Sequence, residues 1–147
     1  MHFFTQWSYT ALAVACALTL ICPCRSTRIL LAVACVNALV VGVAGPAAIA
    51  YGGLRDVPAA CRCNLWEHAV PMAVSVLVLL RLPRVRAEVR LDTVLPLLLA
   101  FNVLYLATPH RAAVGMSKAR AVYGVRNPAW LLLVPLLQAA TVVAVQA

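Results

Sequence analysis

Two short pieces of this chain hold side chains that could do chemistry together. One is Thr5, four residues into the sequence and followed by Gln6, Trp7 and Ser8. The other is Asn64-Leu65-Trp66-Glu67-His68, at the head of the apolar run that ends at Arg81. A threonine hydroxyl is a weak nucleophile until a base within about 3 Å takes its proton, and an imidazole is the usual base. Asn64 and His68 stand four apart and share a helix face, so Asn64 is the candidate to orient the ring, as a third group does in catalytic triads. Glu67 is adjacent to His68 and points about 100° away from it, which makes it a poor partner. A hydroxyl served by such a base could act as a nucleophile. The plainer roles are a helix cap for Thr5 and an interhelix hydrogen bond for His68, although an ionisable group at membrane depth is a functional candidate by default.

The elements that must position these residues follow from composition. Of 147 residues, 65% are hydrophobic and 11% charged, whereas a soluble domain carries roughly a quarter charged residues. Charge falls in short clusters, and between them run apolar stretches near the ~20 residues that cross a bilayer as a helix. The expected fold is all-α, a single multipass domain over residues 1–147, and an integral membrane bundle of about five transmembrane helices. The expected spans are Phe3–Cys22, Ile29–Tyr51, Asn64–Arg81, Thr93–Thr108 and Ala129 to the C-terminus. The first is read as a retained helix, because no Lys or Arg precedes it and no small-residue cleavage site follows it. Gly42, Gly45 and Pro46 mark a kink or a close approach in the second. Asn37 and Asn102 sit within spans and suit interhelix hydrogen bonds; Asn102 and Tyr105 are one turn apart, and Trp7 and Trp130 are interfacial anchors.

Alternation of the spans decides which groups can meet. Thr5 and His68 fall near the same side of the membrane. Cys22 and Cys24 fall on the other side from Cys61 and Cys63, so the two C-x-C pairs cannot build one four-cysteine zinc site, and no metal or cofactor is expected. Cys22 and Cys24, beside Arg25, are candidates for S-acylation, and Cys16 and Cys35 are packing residues. The twelve basic residues divide evenly between the two sides, so their distribution does not orient the chain. The net charge of +8 resides in loops, where anionic lipid headgroups are the nearer partner, and nucleic acid is not an expected one. His110, in the basic loop before the last span, reads as a surface residue.

The two motifs also resemble a known family. Phe3-Phe4-Thr5-Gln6-Trp7-Ser8 is similar to the helix opening of the androgen-induced membrane hydrolases, multipass proteins that split fatty-acid esters of hydroxy fatty acids with a threonine nucleophile. Asn64-Leu65-Trp66-Glu67-His68 resembles that family's Asn-His-x-x-His element, whose last histidine is the catalytic partner. Pro71, three residues on, matches the His-x-x-Pro of related bacterial proteins, and Tyr123 to Pro128 loosely matches a Tyr-Pro loop. The chain departs from the pattern at Ser8, where the family has Asn or Asp, and at Leu65, where it has the first histidine. Its loops are shorter, and the family's first helix has no counterpart. The resemblance implies a membrane-embedded lipid ester hydrolase using Thr5 and His68, with membrane lipids around it and a lipid ester as substrate. The alternative is a non-catalytic multipass protein, an assembly subunit or an inactive member, held together by Asn37, Asn102 and Gln138. A small-solute transporter is disfavoured because no span carries a central charge.

Overall fold

The computed structural model describes residues 4–51, 60–107 and 130–147. Among these the chain is helical, with no strand. The helices are α1 (Phe4–Ile21), α2 (Arg25–Tyr51), α3 (Ala60–Arg81), α4 (Pro83–Arg86), α5 (Leu91–Ala107) and α6 (Trp130–Gln146). The loop sequences with Arg55, His110 and Tyr123 to Pro128 lie outside the described residues, as do the side chains of Asn64 and Glu67.

α2 is the hub and packs against each of the other helices. Its composition explains why. Leu31, Ala32, Ala34, Cys35, Val36, Asn37 and Ala38 are all buried. A helix apolar all round is a buried helix, and its small side chains let neighbouring backbones approach closely. One close approach is at Gly42, where a Cβ would stand 2.8 Å from Met72 Cβ of α3. Only a glycine fits there without moving a backbone. The shared core runs from Leu12 and Ala15 of α1 through α2 to Leu79, Val85, Val89, Val94, Leu98 and Val142.

Three helices open before the expected spans. α2 opens at Arg25 rather than Ile29, α3 at Ala60 rather than Asn64, and α5 at Leu91 rather than Thr93. Apolar pattern marks depth in a nonpolar medium, not helix length, so polar first turns are invisible to it. His68 is therefore eight residues inside α3, about 12 Å from its start, and not at the mouth of the helix. The 82–92 loop contains α4, with Pro83 in its first turn, where the missing N–H costs nothing. Arg86 Nε donates to the Val145 carbonyl at 3.2 Å and ties this connection to the last turn of α6.

Of the five expected spans, one has full length among the described residues: Arg25–Ala44 is long and apolar enough to cross a membrane. The other apolar segments, Thr5–Ile21, His68–Arg81, Leu91–Tyr105 and Leu133–Gln146, run to 17 residues at most. That is about 25 Å of helix, against a hydrocarbon thickness of ~30 Å.

Candidate functional site

The polar residues of the sequence converge on one half of the bundle. Thr5 is buried in the first turn of α1, and Ser8 on the next turn is fully enclosed. Thr5, Ser8, Tyr9 and Leu12 follow the three- and four-residue spacing that puts side chains on one helix face. α3 meets this face with His68, whose ring is 1% exposed. Its Nδ1 lies 3.1 Å from Tyr9 Oη, and the two rings meet edge to face with centroids 6.2 Å apart and planes at 73°. Tyr9 is four residues from Thr5, one helical turn or about 6 Å along α1. A hydrogen bond joining α3 to α1 thus runs to Tyr9; among the described residues no hydrogen bond is seen between His68 and Thr5.

Pro71 and Ser75 shape α3 below the histidine. Pro71 lies inside the helix and cannot donate to the carbonyl four residues earlier, at position 67. Ser75, fully buried, returns its hydroxyl to the Pro71 carbonyl at 2.8 Å. The histidine therefore follows directly after a backbone carbonyl relieved of its ordinary helix partner.

A second set of buried polar groups continues from Ser8. Asn37 Nδ2 of α2 donates to Ser8 Oγ at 2.8 Å. Gln138 Nε2 of α6 donates to Asn37 Oδ1 at 2.9 Å. Asn102 Nδ2 of α5 donates to Gln138 Oε1 at 2.9 Å, with a longer reciprocal contact of 3.4 Å. Four helices are laced by three side-chain amides and one hydroxyl. Each amide offers donors and acceptors at fixed angles, so the chain specifies which helix faces which. Trp7 packs edge-on against Phe101 at 6.1 Å and Tyr105 at 5.8 Å, closing α1 onto the end of α5.

The residues singled out in the sequence divide accordingly. Thr5 and His68 are buried near one α1 face. Asn64 is on α3, one turn before His68, and its side chain lies outside the described residues. Asn37, Asn102 and Gln138, read separately, form one hydrogen-bonded series. Tyr9 was missed as a partner of His68, although its spacing of four from Thr5 signals the shared face. Among the described residues no group of three His, Cys, Asp or Glu side chains could hold a metal ion. No protein-family model matches the chain, nor does any curated protein or solved structure, so the likeness to the androgen-induced hydrolases rests on the two motifs.

Proposed function

We propose that this chain is an integral membrane bundle of about five helices that hydrolyses lipid esters, with Thr5 as nucleophile and His68 as general base. The membrane part is supported by an inverted distribution of side chains. Leu20, Ile21, Val43, Leu80, Val103 and Leu136 are between 63% and 85% exposed, while Ser8, Asn37, His68, Ser75 and Gln138 are at most 1% exposed. An isolated exposed leucine carries little information, but enclosed amides beneath a leucine-rich exterior do. Lipid tails impose this arrangement, because polar groups must then find partners within the bundle.

The observation that carries the chemical part is the enclosure of His68 against the α1 face that begins with Thr5. A base acts best in a site that excludes water and fixes its direction. In the proposed reaction His68 takes the Thr5 proton, and Thr5 Oγ1 bonds to the ester carbonyl carbon. The alcohol leaves with that proton, and water releases the acid from the acyl-threonine. A substrate already dissolved in the bilayer would reach such a site laterally.

The test is hydrolysis of fatty-acid esters of hydroxy fatty acids by the detergent-purified protein, with Thr5→Ala and His68→Ala as controls. Each substitution is expected to lower kcat by about 10²-fold or more, the usual worth of a positioned base. Full activity in either variant overturns the mechanism. The second reading, a non-catalytic membrane protein, is favoured by the Ser8–Asn37–Gln138–Asn102 series, which has a complete role in holding helices together. It prevails if the folded wild-type protein acylates at no residue when given an ester-mimicking probe.

A further inference from the structure

We infer that Tyr9 is the positioning residue of this site: its Oη accepts the Nδ1–H of His68 and holds the ring in the tautomer whose Nε2 takes the Thr5 proton. The inference rests on the hydrolase reading and adds to it the group that sets the base. A neutral imidazole has one donor and one acceptor nitrogen, and the hydrogen bond at one nitrogen selects the role of the other. At 1% exposure the His68 ring has no bulk water to orient it. Its Nδ1 stands 3.1 Å from Tyr9 Oη, within the range of a hydrogen bond.

In catalytic triads this position belongs to a carboxylate. Among the residues whose side chains are described, the carboxylates Glu88 and Asp92 are paired with Arg25 and Arg90. At Nδ1 of His68 the group in hydrogen-bond range is the Tyr9 phenol. Tyr9 also stands on the same rigid helix as Thr5, one turn away, so nucleophile and orienting group move as one body. The proton balance is simple. Nδ1 keeps its proton on Tyr9 throughout. Nε2 gains the Thr5 proton as the Oγ1–carbon bond forms, and gives it to the departing alcohol oxygen as the ester C–O bond breaks. In the second half Nε2 takes a proton from water as its oxygen bonds to the acyl carbon, and returns it to Thr5 Oγ1 as that oxygen leaves.

Tyr9→Phe keeps the ring and removes the acceptor. Its expected effect is a fall in kcat of about tenfold, the worth of one neutral hydrogen bond, with KM unchanged. Loss of the acceptor also weakens the imidazolium more than the neutral ring, so the acid limb of the kcat/KM profile moves to lower pH. A readout independent of activity is the ¹⁵N spectrum of detergent-solubilised wild-type protein labelled at histidine, with His68 assigned by the signal lost in His68→Gln. At a pH above the ring's titration, a protonated Nδ1 and an unprotonated Nε2 support the inference; the opposite tautomer overturns it. If Thr5→Ala or His68→Ala remains active, the hydrolase reading fails and Tyr9 falls with it. If both are inactive while Tyr9→Phe keeps wild-type kcat and acid limb, the hydrolase reading stands and the role of Tyr9 alone is overturned.

Discussion

The two ends of this bundle handle polarity in opposite ways. Toward the start of α1 a set of neutral polar groups is enclosed and bonded in series: Tyr9 to His68, Ser8 to Asn37, Asn37 to Gln138, Gln138 to Asn102. At the other end the groups are charged and paired, and their exposure is uneven: the Glu88 side chain is 13% exposed and that of Arg28 24%. Arg25 reaches Glu88 at 3.4 Å with 71% of its side chain exposed, and Arg90 holds Asp92 at 2.8 Å, keeping that carboxyl below its usual range through hydrogen bonding. The difference follows from desolvation. A buried polar group without a partner costs far more than an exposed one, and a buried charge more still. An enclosed end must therefore use neutral groups that satisfy each other, and only there is water excluded well enough to orient a base.

The contrast breaks most sharply at Gln138. It donates to Asn37 and accepts from Asn102, so Gln138→Leu leaves groups on two other helices short of partners. An unsatisfied buried group costs about 1–3 kcal/mol, and we expect destabilisation of about 2 kcal/mol. Thermal unfolding in detergent would show it. Bundles in lipid give smaller values for single interhelix bonds, about 0.6 kcal/mol on average. A loss below that average would mean the series does not organise the helices.

The two ends also differed in what could be read from the sequence. The all-helical fold followed from composition, and Asn37 and Asn102 announced interhelix bonding because an amide inside an apolar run has no other use. That these two meet through Gln138 did not follow, since joining α2, α5 and α6 depends on helix rotations that no single-helix period encodes. Tyr9 was legible by spacing alone, but a tyrosine near the end of an apolar helix also suits an interface, and only the approach of α3 at His68 decides between the two. The start of α3 was misjudged for a related reason: its polar first turns, with Cys61 and Cys63, carry no apolar pattern, so the helix was read as starting at Asn64 rather than Ala60. Glu88 was legible as a charge but not as the partner of Arg25 and Arg28, because its loop folds back through α4.

A sharper form of the comparison is chemical reactivity. Cys24 is exposed at the turn into α2, and the backbone N–H and hydroxyl of Thr27 pull its thiol from 9.0 down to about 7. Thr27 is itself buried, with its hydroxyl 2.7 Å from the Cys22 carbonyl and 3.6 Å from Cys24 Sγ. The thiolate is the reactive form, and its share rises as pH climbs through that value. Alkylation of Cys24, followed by peptide mass analysis, should be half-maximal near pH 7, while buried Cys35 stays unlabelled in the folded protein. Thr27→Val removes the hydroxyl but keeps the N–H, so the midpoint should rise part of the way back. A wild-type midpoint near 8.5, that of an ordinary free cysteine, would show that the turn does nothing to the thiol.

The smallest effect belongs to the ion pairs. Glu88 lies between Arg25 at 3.4 Å and Arg28 at 3.8 Å, and Arg28 Nε is buried without a hydrogen-bond partner among the described residues. Glu88→Gln keeps the shape and removes the charge. Pairs with a solvent-exposed partner, such as Arg25, are worth about 0–1 kcal/mol, and salt weakens them. The Arg25 contact therefore adds little, and most of any loss comes from leaving Arg28, whose side chain is 24% exposed, without its counter-charge. We expect a destabilisation under about 1 kcal/mol that shrinks as ionic strength rises. A loss as large as that of Gln138→Leu, or one indifferent to salt, would mean that the ion pairs hold their end of the bundle as firmly as the amides hold theirs.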